Sequence, residues 1–387
     1  MAKLRWRPTL TQALTLAGIE PRQFAVCYAR DIPQLPPYRG FWHDQSRQNT
    51  VGVGFAIDFI RSSDGYWFIE SNLPFALAAE RVALYDRDPF VVNMLEFTKA
   101  HGYRHLIVMD NGTSGVVKAM ARQYEEEAAA RGITLTIVQR FNVPGSRHPQ
   151  SYGIPPFPRD GTLVVRLTSY PTSLDDLIRH KRATGAALER FKQMIGDSDL
   201  RLPTSSVDPV LGDIAPHEPF PNVVYKLPEV EQGRGVCFLK VTSPEHARDI
   251  LNKAILSARR PRLEDRVVHR VTSRDGLFQP YIKSLFLPHR RLYKIRAHGL
   301  ITPVGNAFLS AHRDVLPWSV PEKLDMGIVK DPKPYFVNMS AGAKREILPP
   351  EEEPEVARAT LAVARGLAWA IEYGFRTTDT PQMARTE

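Results

Sequence analysis

The chain is poor in cysteine: Cys27 and Cys237 are the only two in 387 residues. That excludes a disulfide framework and fits a reducing compartment. Long apolar runs are missing too. No stretch reaches the roughly 18 apolar residues that mark a membrane-crossing helix. The opening MAKLRWRPTLTQALTLAGIEPRQ is charged and lacks the apolar centre of a secretory signal. A cytoplasmic protein without a membrane partner is therefore expected. Repeats and low-complexity tracts are absent. Acid is missing locally: from Lys283 to Arg313 there are six Lys or Arg and no Asp or Glu. The remaining composition, 43% hydrophobic and 24% charged, is ordinary for a globular chain and at this length allows two or three domains. A net charge of +9 suits an anionic partner: nucleic acid, an anionic surface or a small polyanion.

What is present begins with VGVGFAIDFIRSSDGYWFIESN, residues 51–72. Two β-branched and aromatic runs flank SSDG, which is turn chemistry, so a hairpin is expected. With the turn near Asp64, Asp58 falls opposite Glu70, and Asn72 shares their face. Two facing carboxylates repel, and carboxylates with an amide oxygen suit a hard cation such as Mg²⁺.

Further along, ALAAERVALYDRDPFVVNMLEFTKAHGY reads as helix, RHLIVMDNGTSG as a strand with a Gly-containing loop, and VVKAMARQYEEEAAARG as helix. ITLTIVQRF and TLVVRL follow as strands, then SLDDLIRHKRATGAALERFKQMIG as helix. This is a strand–helix–strand pattern, implying a small parallel sheet. Prolines crowd 203–228, which reads as a boundary. Beyond it come the strands NVVYKLPEV, GVCFLKV, GLFQPYI, RLYKIRAHGLITP and NAFLSAHR. They are interrupted by the helix PEHARDILNKAILSA and followed by the long helix EEPEVARATLAVARGLAWAIEYGF.

Neither a GxGxxG nor a GxxxxGK[ST] pattern occurs at the DNGTSG loop, so it makes a weak phosphate site; an ordinary strand–helix loop looks the same. More telling is NVVYKLPEVEQGRGVCFLKV. Gly233, Arg234 and Gly235 form a turn that lets backbone amides approach phosphate oxygens, and Lys226 and Lys240 flank it. In RLYKIRAHG, strand alternation puts Leu292, Lys294, Arg296 and His298 on one face and Tyr293, Ile295 and Ala297 on the other. Such a basic face must be solvated or must meet an anion, and Arg suits bidentate contact with phosphate or carboxylate. Cys237 reads as a packing residue.

Taken together, these stretches resemble the ATP-grasp family. Residues 221–375 match its order of a strand lysine (Lys226), a Gly-rich phosphate loop (QGRGV), a second lysine strand (Lys240) and a hinge (FQPYI). A basic strand pair ending in SAHR, a VNMSAGA segment and a long helix complete the order. In that family the helix leads into an acidic hairpin, Asp on one strand and Glu-x-Asn on the next. Here nothing of the kind follows EYGF, whereas residues 51–72 carry that pattern. The chain thus resembles a circularly permuted ATP-grasp protein, as glutathionylspermidine synthetase-like members of the carboxylate–amine ligase superfamily are.

The resemblance implies an α/β (α+β) ATP-grasp fold with a small parallel-sheet domain. The expected divisions are an extension at 1–50, the permuted hairpin and helix at 51–90, the small α/β domain at 91–205, the ATP-grasp subdomains at 206–375 and a tail at 376–387. It implies ATP and Mg²⁺ as cofactors. Asp58, Glu70 and Asn72 would ligate metal. Lys226, Gly233, Arg234, Gly235, Lys240, Gln279, Tyr281 and Ile282 would hold nucleotide. Lys294, Arg296 and Arg313 would stabilise the transferring phosphoryl group. Arg291 and Arg296 both fit the family's key arginine, Arg296 the better. The implied reaction joins a small-molecule or peptide carboxylate to an amine, less often a thiol, through an acyl-phosphate, in a chain that could pair as a homodimer. The alternatives are a small-molecule kinase, a basic nucleic-acid-binding protein without turnover, which the lack of interleaved aromatics disfavours, and a degenerate nucleotide binder.

Overall fold

A computed structural model describes residues 43–44, 49–72, 88–110, 124–139, 161–167, 181–215, 217–227, 236–258, 276–302, 305–335, 337 and 343–372. The fold is mixed α/β, built on two sheets. The elements run β1 (His43–Asp44), β2 (Asn49–Ser62), β3 (Gly65–Asn72), α1 (Pro89–Ala100), β4 (His105–Asp110), β5 (Thr134–Gln139), β6 (Thr162–Arg166) and α2 (Lys181–Ile195). They continue with β7 (Val223–Lys226), β8 (Val236–Lys240), α3 (Pro244–Ala258), β9 (Leu277–Pro280), β10 (Arg291–Thr302), β11 (Gly305–Ser319), β12 (Gly327–Ile328), β13 (Lys344–Ile347) and α4 (Glu353–Glu372).

The larger sheet has the order β13-β11-β10-β2-β6-β4-β5, with β1 and β3 also on β2. β4, β5 and β6 are parallel to one another, the expected small parallel sheet. That unit joins the rest without a break, because β6 also runs parallel to β2. β2 is therefore the junction: parallel to β6 through Thr50–Val53, antiparallel to β3 and β10 through its later residues.

Alternation along β2 divides two cores. Val53, Phe55, Ile57 and Phe59 point to the face covered by α2 and α4, where Leu188, Phe191, Val363 and Trp369 complete the largest core. The opposite face is covered at one end by α1, whose Phe90, Met94 and Leu95 pack on Leu106, Val108, Leu163 and Leu300. At the other end it meets the small antiparallel sheet, β12-β8-β7-β9. There Val224, Val236 and Phe238 pack against Leu292 and Leu316 of the large sheet. The back of the small sheet, Val223, Tyr225, Cys237 and Leu239, is sealed by Ala247 and Leu251 of α3. Cys237 is a packing residue as expected, and burial pushes its thiol up to about 12. The proline-rich stretch after α2 links the two sheets: Phe68 N–H donates to the Arg201 carbonyl, and Ser206 bridges to Phe278.

The expected helices over 181–195, 244–258 and 353–372 are present, and α1 occupies the end of a longer expected helix. β12 and β13, both short, were not expected from the sequence. Residues 1–42, most of the DNGTSG loop, Asn338–Gly342 of VNMSAGA and the 373–387 tail lie outside the described residues.

Gly299 of β10 faces Phe55 of β2 in the ladder. A Cβ there would lie 2.3 Å from the Phe55 ring, and a ring packed in the core cannot withdraw. Gly299→Ala is expected to destabilise the fold by about 1–3 kcal/mol, read from the urea midpoint at unchanged slope. An unchanged midpoint would mean that β2 and β10 are not held this closely.

Candidate functional site

The β2–β3 hairpin places the first site residues. Ser62 pairs with Gly65 across a turn at Ser63 and Asp64. Gly65 adopts φ 131°, a backbone conformation that side chains disfavour. Arg201 Nη1 and Trp67 Nε1 both donate to the Asp64 carboxylate, at 3.1 and 3.0 Å. The ladder then shifts between Asp58 and Phe59. Phe59 pairs with Phe68, yet Asp58 pairs with Glu70, so Ile69 is the extra residue of a β-bulge. The facing carboxylates expected from the sequence are present, and the bulge is what brings them opposite. Asn72 pairs with Ala56 and its Nδ2 lies 3.5 Å from Glu70 Oε1.

On the other edge of β2, Asp58 pairs with Arg296. Lys294 Nζ donates to Asp58 Oδ2 at 2.6 Å, and Arg296 donates bidentately, Nε to Oδ1 at 2.7 Å and Nη2 to Oδ2 at 2.8 Å. The basic face of β10 therefore meets an anion, and it does so away from water: the Asp58 and Lys294 side chains are 1% and 8% exposed. Burial alone would push the Asp58 carboxyl up. The charges and hydrogen bonds of Arg296 and Lys294 outweigh it and hold the group well below the usual carboxylate range. Burial likewise disfavours the Arg296 cation, but Asp58 reverses that and raises it.

Beside this cluster, on β11, Asp314 is wholly buried between Lys294 at 3.8 Å, His312 at 3.4 Å and Arg345 at 3.7 Å. Burial pushes Asp314 up, but the close approach of His312 and the Lys294 charge lower it below its ordinary value; burial lowers His312. This second group is not evident from the sequence, since β11 had to be paired before His312 and Asp314 could be seen opposite Arg296 and Lys294.

A cleft of about 100 Å³ opens between the two sheets. Its lining includes the charged side chains of Asp58, Glu70 and Lys294 from the large sheet and Lys226 from the small one. Its remaining wall is apolar, with Val224, Val236, Phe238 and Tyr335 among its residues, and Gln279, Tyr281 and Ile282 run along one edge. The Gln279 amide is fixed by its donation to Ser205 Oγ at 2.7 Å. Lys226, Gln279, Tyr281, Ile282, Asp58, Glu70 and Lys294, singled out from distant parts of the sequence, thus line one cavity, with Arg296 behind Asp58.

Two residues lie elsewhere, correcting the sequence reading. Arg313 pairs with Ile295 and so lies on the α4 face. It stacks over Tyr293 at 4.8 Å and is ion-paired with Glu352, which also takes Arg61. It is turned away from Lys294 and Arg296. Lys240 shares a face with Phe238 but ends β8 at the opposite side from Lys226, about 13 Å along the strand pair. It is fully buried, and Nζ donates at 3.0 Å to the carbonyls of Ala215 and Glu218, tying that connection to the sheet. Gly233, Arg234 and Gly235 lie outside the described residues.

Among the described residues no three His, Cys, Asp or Glu side chains converge as a metal site, and no helix is long and apolar enough to cross a membrane. No family model matches the chain, and no curated protein does. A solved structure named "Putative gamma-glutamylcysteine synthetase", from Methylobacillus flagellatus KT, is similar over 95% of this chain and 96% of its own, at 12% identity and a TM-score of 0.43. At that level the likeness assigns no chemistry to this chain.

The Asp58 cluster gives a pH signature. Its folded carboxyl titrates below its unfolded value of about 4. The stabilisation it supplies is therefore complete above that value and is lost as pH falls below it toward the folded titration. Asp58→Asn is expected to cost about 3–5 kcal/mol at pH 7, since it leaves two cations without their buried counter-ion, and to flatten the loss of stability between pH 5 and 2. Urea unfolding at several pH values reads both. A parent and a variant with parallel acid limbs would show that Asp58 is not tied to these cations.

Proposed function

We propose that the protein is an ATP-dependent ligase of the ATP-grasp kind that joins a carboxylate to an amine. The observation that carries this reading is the cleft between the two sheets, whose lining joins apolar side chains such as Val224, Val236 and Phe238 to the charged groups of Lys226, Lys294, Asp58 and Glu70. The apolar lining suits a flat base that Gln279 could hydrogen-bond, and the lysines suit a phosphate chain. The reading extends to the permutation. α4 packs on Phe59, Tyr66 and Phe68 of the β2–β3 hairpin, so the long helix lies against the acidic hairpin to which the family joins it directly.

In this reading a substrate carboxylate oxygen attacks the terminal phosphorus of ATP and ADP leaves. The amine nitrogen then attacks the acyl carbon, phosphate departs with the former carboxylate oxygen, and the nitrogen loses a proton. Lys226 and Lys294 neutralise phosphate charge, and Arg296, bound to Asp58 behind the cleft wall, adds positive charge near the transferring group, work that consists of positioning and electrostatics. The Glu70 carboxylate and the Asn72 amide, neighbours on β3, form an oxygen donor set suited to Mg²⁺. Asp58 as held does not suit it, because both its oxygens already accept from cations. The metal would supply charge neutralisation on the phosphates. Lys294 and His298 are 6% and 4% exposed, so the basic face of β10 is interior and does not form a surface for nucleic acid.

The test is thermal shift with ATP, ADP, GTP and AMP, each with and without Mg²⁺. Saturation at 100 times Kd should add about 2.7 kcal/mol. The expected result is Mg²⁺-dependent stabilisation by ATP that Glu70→Gln reduces, with Mg²⁺ alone giving none because Lys226, Lys294 and Arg296 surround the site. Lys226→Ala is expected to weaken ATP at least tenfold. ADP release in the presence of pooled acids and amines would then identify the pair. Indifference to every nucleotide would end the ligase reading.

A further inference from the structure

The acid-free run from Lys283 to Arg313 divides in two. Lys294, Arg296 and Arg313 are interior, each paired with a carboxylate. The other half, KSLFLPHRR, leaves the cleft lining after Ile282 and rejoins the large sheet at β10. This loop is tied down. Leu285 N–H donates to the Arg61 carbonyl, Leu287 N–H to that of Arg291, and Val320 N–H to that of Arg290. His289 and Arg290 both take left-handed backbone angles, φ 63° and 55°, in the region that favours glycine. Strain of this kind gathers at segments that bind something.

Held this way, the loop closes a ring of aromatic and cationic side chains. Phe286 lies 5.4 Å from Phe220, and Phe220 lies 6.5 Å from Tyr335. Two residues before Tyr335, the Lys333 ammonium sits over the Trp318 ring at 5.9 Å. Trp318 shortly precedes Pro321, whose carbonyl accepts from Arg290 at 3.2 Å, and Arg290 lies over Phe286 at 5.6 Å. Lys283 lies over Phe220 at 5.7 Å. The floor of the ring, Phe220 and Tyr335, is buried, while Leu285, Phe286 and Trp318 are 38%, 40% and 46% exposed. Tyr335 and Ile282 also line the cleft, so ring and cleft share a wall.

Exposed apolar side chains framed by cations have the composition of a recognition surface. The details select the occupant. Arg290 and Lys333 have no carboxylate partner among the described residues, so negative charge is what the ring lacks. Both lie over the ring faces that a nucleic-acid base would need for stacking. The ring also extends outside the cleft, beyond a small molecule seated there. We propose that it docks an acidic polypeptide, whose carboxylates meet Arg290 and Lys333 and whose apolar side chains cover Leu285, Phe286 and Trp318. The docking surface rests on the ring alone; that the polypeptide is a substrate, presenting a carboxylate or an amine to the cleft, rests on the ligase reading.

The probe is a fluorescein-labelled peptide of repeated Glu-Glu-Leu-Glu-Glu-Phe, its binding followed by anisotropy without nucleotide. The controls are the same peptide with Lys for Glu, the same with Ser for Leu and Phe, and an oligothymidylate of equal charge. The parent is expected to bind the first peptide in preference to all three controls. Arg290→Glu and Phe286→Ser are each expected to weaken it at least about fivefold. Should Phe286→Ser not fold, Lys333→Glu takes its place. No binding by the parent, or equal binding by both variants, overturns the docking surface. A Ser-substituted peptide bound as tightly as the first removes the apolar half of the proposal and overturns it as stated. Oligothymidylate bound more tightly than the peptide, and lost in the same variants, makes the ring a nucleic-acid surface and overturns the polypeptide. The nucleotide thermal shift keeps the two readings apart. Peptide binding without any response to nucleotide retains the docking surface and discards the ligase. Stabilisation by ATP without peptide binding retains the ligase and discards the docking surface.

Discussion

Asp58, Lys294 and Arg296 tie β2 to β10, with 236 residues between Asp58 and Lys294 in the sequence. A buried ion cluster is a poor source of net stability, because desolvation of each charge offsets most of the attraction. What it supplies is discrimination between alignments. Slide β2 by one residue against β10 and Asp58 would face Ile295 or Ala297, both in the α4 core, while two cations would be stranded without a counter-ion. Every side chain of β2 would also exchange faces. The cluster therefore penalises the wrong register far more than it rewards the right one, and both cores depend on that register.

The cleft follows from the same alignment. β2 keeps its aromatic side chains for the α2 and α4 face, and presents Gly52, Gly54, Ala56, Asp58 and Ile60 to the other. α1 covers one end of that second face and the small sheet the other. Between them run Lys294, Arg296, His298, His312 and Asp314, a polar strip bounded by apolar packing on both sides. Charges held there interact at low effective dielectric, which magnifies both their attraction to a matching ligand and the cost of a mismatch.

Much of this was legible in the residues. Alternation and turn chemistry give the β2–β3 hairpin, and alternation divides β10 into an apolar and a basic face. The misreadings arose where the answer depends on a non-local partner. The face of Arg313 is set by the pairing of β11, which itself contains an irregularity beside His298 and Gly299. Lys240 is a lysine on a strand in any sequence reading; only the folded connection at Ala215 and Glu218 shows what its ammonium is for. Asp58 carried a sound expectation of a cation, and it has two, both from the protein itself. The bulge at Ile69 left no mark, because inserting one residue in a strand changes no local propensity. β12 and β13 pair through two and four residues, too few for a pattern.

The position of β2 has a consequence for how the chain is made. Its two long partners, β3 and β10, come from opposite ends of the sequence, and the helix that closes over its apolar face ends at Glu372. At 5–20 residues per second, the hairpin emerges from the ribosome roughly 12–50 s before β10 exists to pair with it. Throughout that interval β2 offers an unpaired edge and the uncovered side chains of Phe55, Ile57 and Phe59. Nascent chains would therefore be vulnerable to association through this edge, and folding would be slow in proportion to the distance between partners. The buried aspartate contributes here as well: a charge in the centre of an otherwise apolar strand hinders its pairing with any chain that does not bring the matching cations.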